Sequence, residues 1–391
     1  MIAGGCRTLT GVIRRRRQQG KGIENRPLMD SHMAVKAVAM DDEDICLDCT
    51  VVCLNCSITG PQDVDYDYIN YSSYAGDGQD RIITITLPLV FSLIFLVGLA
   101  SNGLVLYVVL CSRSMRTITS LYLVNLAVAD LILLVFCVPF ITINYLLPYW
   151  PFGQIVCKVW TYLTTVAVSA SVMTLIAMAV DRYYAVVQPV RSLIFRTVQR
   201  TVVILTVIWM TSFIGLAPVL FIMRVAIYFD RGEWQEYCVE HWQLPSHRTG
   251  FTVVLFIAFY VAPLIVITST YVLMARSLCR TVSPIVVAAS AGRMLTSRTM
   301  TARTLLVIVA VFAVCWLPAH CVQLSHDAGT WRYTEATFAI KALAHTLSYC
   351  NSALNPFIYA FMTKSFRESA REVFSRRKHT DSKVFVITEQ D

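Results

Sequence analysis

The chain of 391 residues is 56% hydrophobic and 15% charged with positive mean hydropathy, which excludes the ordinary balance of a soluble globular domain. A net charge of +8 could serve a nucleic-acid binder, but the basic residues fall in short clusters between long apolar runs and so speak for membrane topology instead. The deciding feature is whether those runs can cross about 30 Å of hydrocarbon, roughly 20 residues each.

Residues 1–81 are polar, acidic toward the membrane (Asp41, Asp42, Glu43, Asp44, Asp63, Asp65, Asp67, Asp77, Asp80) and without sustained periodicity; they are expected to form a mostly disordered extracellular tail. Asn55-Cys56-Ser57 and Asn70-Tyr71-Ser72 match the N-glycosylation pattern. Cys46, Cys49, Cys53 and Cys56 form a C-x2-C-x3-C-x2-C cluster. Outside the cell disulfides are favoured there over zinc, because the gap between the pairs is too short for the usual structural zinc modules. No cleavable signal peptide is visible before Arg14 to Arg17, so span 1 is expected to act as an uncleaved signal anchor, with Met33 and Met40 open as alternatives to Met1 as the start.

Seven apolar runs follow, at approximately 82–111, 119–147, 154–187, 199–223, 249–277, 302–325 and 336–362. In lipid the backbone must satisfy its own hydrogen bonds, so runs of this length read as helices. The fold expected is an all-α membrane bundle of seven helices over 82–363, kinked near Pro139, Pro218, Pro263, Pro318 and Pro356. Arg113 and Arg116 follow span 1, Arg191, Arg196 and Arg200 follow span 3, Arg276 to Arg303 bridge spans 5 and 6, and Lys364 to Lys378 follow span 7. The alternate loops carry few basic residues, Arg231, Arg248 and Arg332 among them. By the positive-inside rule the N-terminus is then outside and the C-terminus inside. The tail 364–391 begins as a basic amphipathic stretch with Phe366 and Phe374, expected as a short eighth helix on the inner membrane face.

Strongly polar side chains inside a span are expensive and therefore informative. Asn102 in span 1, Asp130 in span 2, Ser171 in span 3, and Asn351 and Asn355 in span 7 are placed to converge in the core. Two readings stay open: a hydrogen-bonded polar cluster, or a sodium site on Asp130, Ser171, Asn351 and Asn355, whose hard oxygen donors suit a hard cation. No other metal and no organic cofactor is expected.

Several motifs in order along these spans resemble the rhodopsin-like, class A G-protein-coupled receptors. Asp181-Arg182-Tyr183 closes span 3, Trp209 stands in span 4, Pro263 and Tyr271 mark span 5, Phe312 to Pro318 with Trp316 matches the span-6 hinge, and Asn355-Pro356-Phe357-Ile358-Tyr359 matches the span-7 motif. The resemblance implies that Arg182 pairs with Asp181 in the resting state, and that movement of span 6 opens a cytoplasmic cavity around Arg182, Tyr271 and Tyr359 for a heterotrimeric G protein. It also implies a disulfide between Cys157 and Cys238 over the mouth of the bundle. Where relatives often carry an acidic residue at the base of span 6 this chain has Arg298, which removes that cross-helix ion pair.

The position that holds an aspartate in amine receptors is Thr164, so the counter-ion for an ammonium ligand is missing, and Tyr349 stands where a photoreceptor needs lysine. The outer half offers His320, Gln323, Lys341, His345, Tyr349, Glu240 and Trp242, a polar, aromatic and mixed-charge surface that suits a peptide. Lys341, His345 and Tyr349 are spaced to share a helical face, and His320 and His345 are the leading contact candidates. The second outer loop and span 7 look like those of the galanin, allatostatin-A and kisspeptin receptor branch. The partners implied are an extracellular peptide, a G protein, arrestin, a receptor kinase and membrane lipids, at the plasma membrane and without nucleic acid. A receptor for a lipid or other small molecule is the nearer alternative. A helical transporter is more distant, since no repeated halves are visible. No nucleophile or nucleotide loop suggests an enzyme.

Overall fold

A chain whose polar backbone crosses hydrocarbon has little choice but helix. The computed structural model describes residues 80–147, 149–230, 233–281, 289–332 and 334–375. Asn55, Asn70 and the cysteines at 46, 49, 53 and 56 lie outside them. Seven long helices carry the fold: α1 Asp80–Cys111, α2 Ile118–Leu146, α3 Gly153–Val187, α4 Val198–Gly215, α5 Pro245–Phe256 continued by Ala262–Thr281, α6 Ala289–Asp327 and α7 Glu335–Met362. An eighth helical stretch, α8, runs over 364–375.

Their starts follow ordinary capping chemistry. The side chains of Thr117, Thr197 and Thr334 accept from the backbone N–H groups of Ser120, Arg200 and Thr337, each satisfying a donor that the first turn leaves orphaned. Among the described residues six helices are long and apolar enough to cross a membrane. The seventh, α7, has the length but carries Lys341, His345, Ser348, Asn351, Ser352 and Asn355 along with an outward apolar face that includes Leu343 and Phe361.

Helix α6 departs from the sequence reading. The apolar run suggested a helix from about 302, yet the helix begins at Ala289. At 39 residues it is roughly 58 Å long, about twice the hydrocarbon depth, so its first turns lie beyond the apolar window Leu306–Asp327. Hydropathy marks where a helix meets lipid, and Ala289 to Thr301, free of proline, continues it where no apolarity is required. Arg298 lies on this extension.

Helix α3 is central, packing on α2, α4, α5 and α6, while α1 packs on α2 and α7. The core runs along these seams, with Val105, Tyr122, Leu126, Val172, Leu175, Met178, Ile308, Phe312 and Tyr359 buried together. Hydrogen bonds cross the same seams. Asn125 Nδ2 donates to Thr174 Oγ1 at 2.7 Å and Trp209 Nε1 donates to Asn125 Oδ1 at 2.8 Å, joining α2, α3 and α4. Inside α5 a π-turn, Ile257–Val261, precedes Pro263 and aims Tyr260 at α6, where its hydroxyl donates to the Ala313 carbonyl at 2.9 Å. Pro318 deprives α6 of one ladder bond near that point.

Gly98 leaves no room for a side chain between α1 and α2: a Cβ there would stand 2.5 Å from Cδ1 of the fully buried Leu134. Gly98→Ala is therefore expected to lower the thermal midpoint of the purified protein by overpacking, a cost of about 1–3 kcal/mol. Adding Leu134→Ala should recover part of the loss; an unchanged midpoint in Gly98→Ala would contradict the packing described.

Candidate functional site

At the outer end the loop between α4 and α5 folds as an antiparallel hairpin, β1 Met223–Asp230 and β2 Glu233–Glu240, with Val225 opposite Cys238. The sequence reading treated this segment only as a lid. Cys238 forms a disulfide with Cys157 at the start of α3, closing an interval of 81 residues. Gln154 adds two bonds, accepting from Val225 N–H at 2.7 Å and donating to the Met223 carbonyl at 3.3 Å. Trp150 N–H reaches the Glu236 carbonyl at 2.7 Å. The Trp150 side chain is buried, stacked on Trp160 at 5.1 Å and edge-on to Phe152 at 5.0 Å. Its role is to hold the first outer loop beneath the hairpin.

Below the hairpin lies a cavity of about 340 Å³. Ile141, Asn144 and Tyr145 of α2, Trp160 and Thr161 of α3, Cys238, Val239 and Glu240 of β2, Arg248 of α5, Gln323 and His326 of α6, and Phe338, Lys341 and His345 of α7 line it. It therefore presents both charge signs, several hydrogen-bonding groups and aromatic faces. Of the residues singled out in the sequence, Glu240, Gln323, Lys341 and His345 line the cavity. His345 Nδ1 and the Tyr145 hydroxyl are 3.0 Å apart.

His320, Tyr349, Thr164 and Trp242 lie outside the lining of this cavity. His320 packs among Phe256, Tyr260 and Trp316, with ring centroids 5.2, 5.0 and 6.1 Å away. Tyr349 is buried against Phe91, centroids 5.7 Å apart. Thr164 Oγ1 is buried. Trp242 Nε1 donates to Glu240 Oε2 at 2.9 Å, so it orients a lining carboxylate. Helical spacing puts Tyr349 on the face of Lys341 and His345 without fixing its depth, and it is buried below them.

One wall of the cavity is an ionic cluster. Arg248 Nε lies 3.0 Å from Asp327 Oδ1 and 3.7 Å from Glu240 Oε2, and its Nη2 is 3.0 Å from His326 Nδ1. The Asp327 side chain is 1% exposed, so this pair joins the outer ends of α5 and α6 where water screens it little.

In the middle of the bundle Asp130 is fully buried. Asn355 Nδ2 donates to its Oδ2 at 2.8 Å and Ser171 Oγ to its Oδ1 at 3.5 Å. Asn102 Nδ2 donates to the carbonyls of Gly98 and Ser352, both at 3.0 Å. The Oδ1 atoms of Asn351 and Asn355 are buried without hydrogen-bond partners. Above this cluster Phe312 and Trp316 lie 6.3 Å apart, with Tyr260 6.0 Å from Phe312.

At the inner end Arg182 is ion-paired with Asp181, Nη2 lying 3.4 Å from Oδ2, as the resemblance implies, although that nitrogen makes no hydrogen bond. Both oxygens of Asp181 are also held by Arg196, Nε to Oδ1 at 2.7 Å and Nη2 to Oδ2 at 3.0 Å. Tyr183 stacks edge-on to Tyr184, Tyr271 is half-buried on α5, and Tyr359 is buried beside Pro356 of α7.

The model of the 7 transmembrane receptor (rhodopsin family) matches residues 101–359, more than half of the chain. The chain belongs to that family. As a rhodopsin-family receptor it is a multi-pass membrane protein and not an enzyme. It is 38% identical over 297 residues to G-protein coupled receptor 54 of Oreochromis niloticus, covering 74% of this chain and 78% of the relative. It is 36% identical over 309 residues to galanin receptor type 1 of Rattus norvegicus, covering 78% and 86%. Over 326 residues it is 34% identical to the allatostatin-A receptor of Bombyx mori, covering 82% and 88%.

Removing Arg248 would leave the Asp327 carboxylate buried without its cation. Arg248→Ala is expected to destabilise the receptor by about 2 kcal/mol, more than Glu240→Ala, whose contact is longer and wetter. Thermal unfolding of the two purified variants reads the difference; equal midpoints would remove the cluster from the account.

Proposed function

We propose that this receptor resides in the plasma membrane with its N-terminus outside, binds an extracellular peptide of the galanin or allatostatin-A kind, and signals through a heterotrimeric G protein. The observation that carries the reading is the outer cavity: about 340 Å³ beneath a disulfide-tied hairpin, with Glu240, Arg248 and Lys341 beside Trp160, Tyr145 and Phe338. Backbone amides, termini and aromatic side chains of a peptide match such a wall, whereas an amine has no buried carboxylate to meet at Thr164. The likeness to receptors for galanin and allatostatin-A supports the same class.

Peptide binding would favour a state in which the inner end of α6 moves away from α3, a hinge motion suited to Pro318 and to the aromatic stack of Tyr260, Phe312 and Trp316. The cavity opened around Arg182, Tyr271 and Tyr359 would accept the G-protein α-subunit and release its GDP. Arrestin and a receptor kinase would act afterwards on the inner loops and tail, with α8 lying on the lipid surface. The oxygens of Asp130, Ser171, Asn351 and Asn355 suit a sodium ion, since the Asp130 carboxylate accepts from Ser171 and Asn355 while the carboxamide oxygens of Asn351 and Asn355 are buried without partners. Such an ion would supply positive charge to the polar core.

The test is G-protein activation in cells expressing the full chain, screened with amidated galanin-, allatostatin-A- and kisspeptin-like peptides. A response at low concentration is expected, with His345→Ala and Gln323→Ala raising the half-maximal concentration about tenfold or more, the loss of roughly 1.4 kcal/mol, while surface expression is kept. Silence to peptides with activation by lipids or other small molecules would overturn the ligand class.

A further inference from the structure

Asp181 is one buried carboxylate shared by two guanidinium groups, and the sharing is unequal. Arg196 takes both oxygens in a fork at 2.7 and 3.0 Å, the arrangement in which an arginine–carboxylate pair is strongest. Arg182 is left with a single approach of 3.4 Å, and its Nε and Nη2 are buried without hydrogen-bond acceptors. The base of α6 offers no acidic replacement, because Arg298 stands on that stretch.

Arg196 is well fixed where it stands. It follows a short helix, Pro189–Phe195, whose first position is the proline and whose Ser192 hydroxyl donates to the Pro189 carbonyl at 2.7 Å. The next residue, Thr197, caps α4. Arg200 then reaches back, donating to the Ile194 carbonyl at 3.1 Å and lying 5.1 Å over the Phe195 ring, while Tyr184 of α3 holds the other side of Phe195 at 6.3 Å. The inner loop is thus locked in the position that delivers the Arg196 fork to Asp181.

We infer that Arg196 is a positioning residue for G-protein coupling: by occupying the Asp181 carboxylate it weakens the resting hold on Arg182 and keeps the receptor close to its signalling state. This rests on the G-protein reading above. One carboxylate cannot make two forks, so removing Arg196 hands Asp181 to Arg182 and strengthens the resting state. A residue that merely braced the loop would act without regard to Asp181.

The experiment uses the full chain in lipid nanodiscs with Arg196→Gln, Arg196→Lys, Asp181→Asn and the double variant Asp181→Asn with Arg196→Gln. Two signals are followed without added ligand: nucleotide exchange on purified G-protein heterotrimers, and the outward position of α6 from a fluorescent unnatural amino acid incorporated at position 306, which avoids labelling the native cysteines. Arg196→Gln is expected to lower basal exchange roughly five- to tenfold, within the usual range of coupling between sites. It should also shift the α6 signal inward, with Arg196→Lys intermediate because it keeps the charge and loses the fork. In the Asp181→Asn background Arg196→Gln should change neither signal.

A rise in basal exchange with Arg196→Gln, or an equal fall in the Asp181→Asn background, would overturn the inference. If Arg196→Gln fails to reach the membrane, Arg196→Lys alone decides: no change or a rise counts against it. The fluorophore needs no G protein, so a wild-type chain silent toward every heterotrimer would count against the functional reading while the α6 signal still tests the clamp.

Discussion

A single carboxylate in the middle of a membrane bundle constrains everything around it. Asp130 is fully buried, and a carboxylate in hydrocarbon is costly unless hydrogen-bond donors surround it. The donors come from other helices: Asn355 from α7 and Ser171 from α3. Asn102 of α1 closes the circle through the Ser352 carbonyl, with Ser101 approaching the Ala353 carbonyl at 3.5 Å. Four helices are therefore drawn to one axis by polar demand, and the lipid-facing leucines and valines of α1 and α4 are free to be nonspecific.

That axis separates two ends with different chemistry. The outer end is stiffened covalently by Cys157–Cys238 and electrostatically by Arg248 with Asp327, so the cavity wall is built before a ligand arrives. The middle is deliberately loose, with a proline in α6 and in α7 and a π-turn in α5. At the inner end the charges are poorly balanced, two arginines competing for Asp181. A stiff receiver, a soft middle and an unevenly shared inner carboxylate make a two-state element that a modest binding energy can bias.

Much of this was legible before any coordinates. Runs of apolar residues located the helices, since hydrocarbon leaves no other structure, and the cost of polar atoms in lipid singled out Asn102, Asp130, Ser171, Asn351 and Asn355. The hairpin strands Met223–Asp230 and Glu233–Glu240 are not evident in the sequence, although they hold β-branched and aromatic residues, because both faces mix polar and apolar side chains and the period-two signal is blurred. The extension of α6 was missed because hydropathy ends where lipid ends. The sequence sets His320 about one turn above Trp316, but it does not show that the rings of Phe256 and Tyr260 pack around it there. The Arg196 fork was invisible for the same reason: 15 residues and a helix end separate it from Asp181, and only the fold of the loop brings them together.

The central claim is that the outer cavity and the inner end share one equilibrium, and linkage requires such coupling to run both ways. The direct measurement is the equilibrium affinity of a labelled galanin- or allatostatin-type peptide for the full chain in nanodiscs, with and without nucleotide-free G-protein heterotrimer. The account predicts that the heterotrimer tightens peptide binding at least about fivefold and that a non-hydrolysable guanine nucleotide reverses the gain. Measurable peptide binding with an affinity unmoved by either would contradict it.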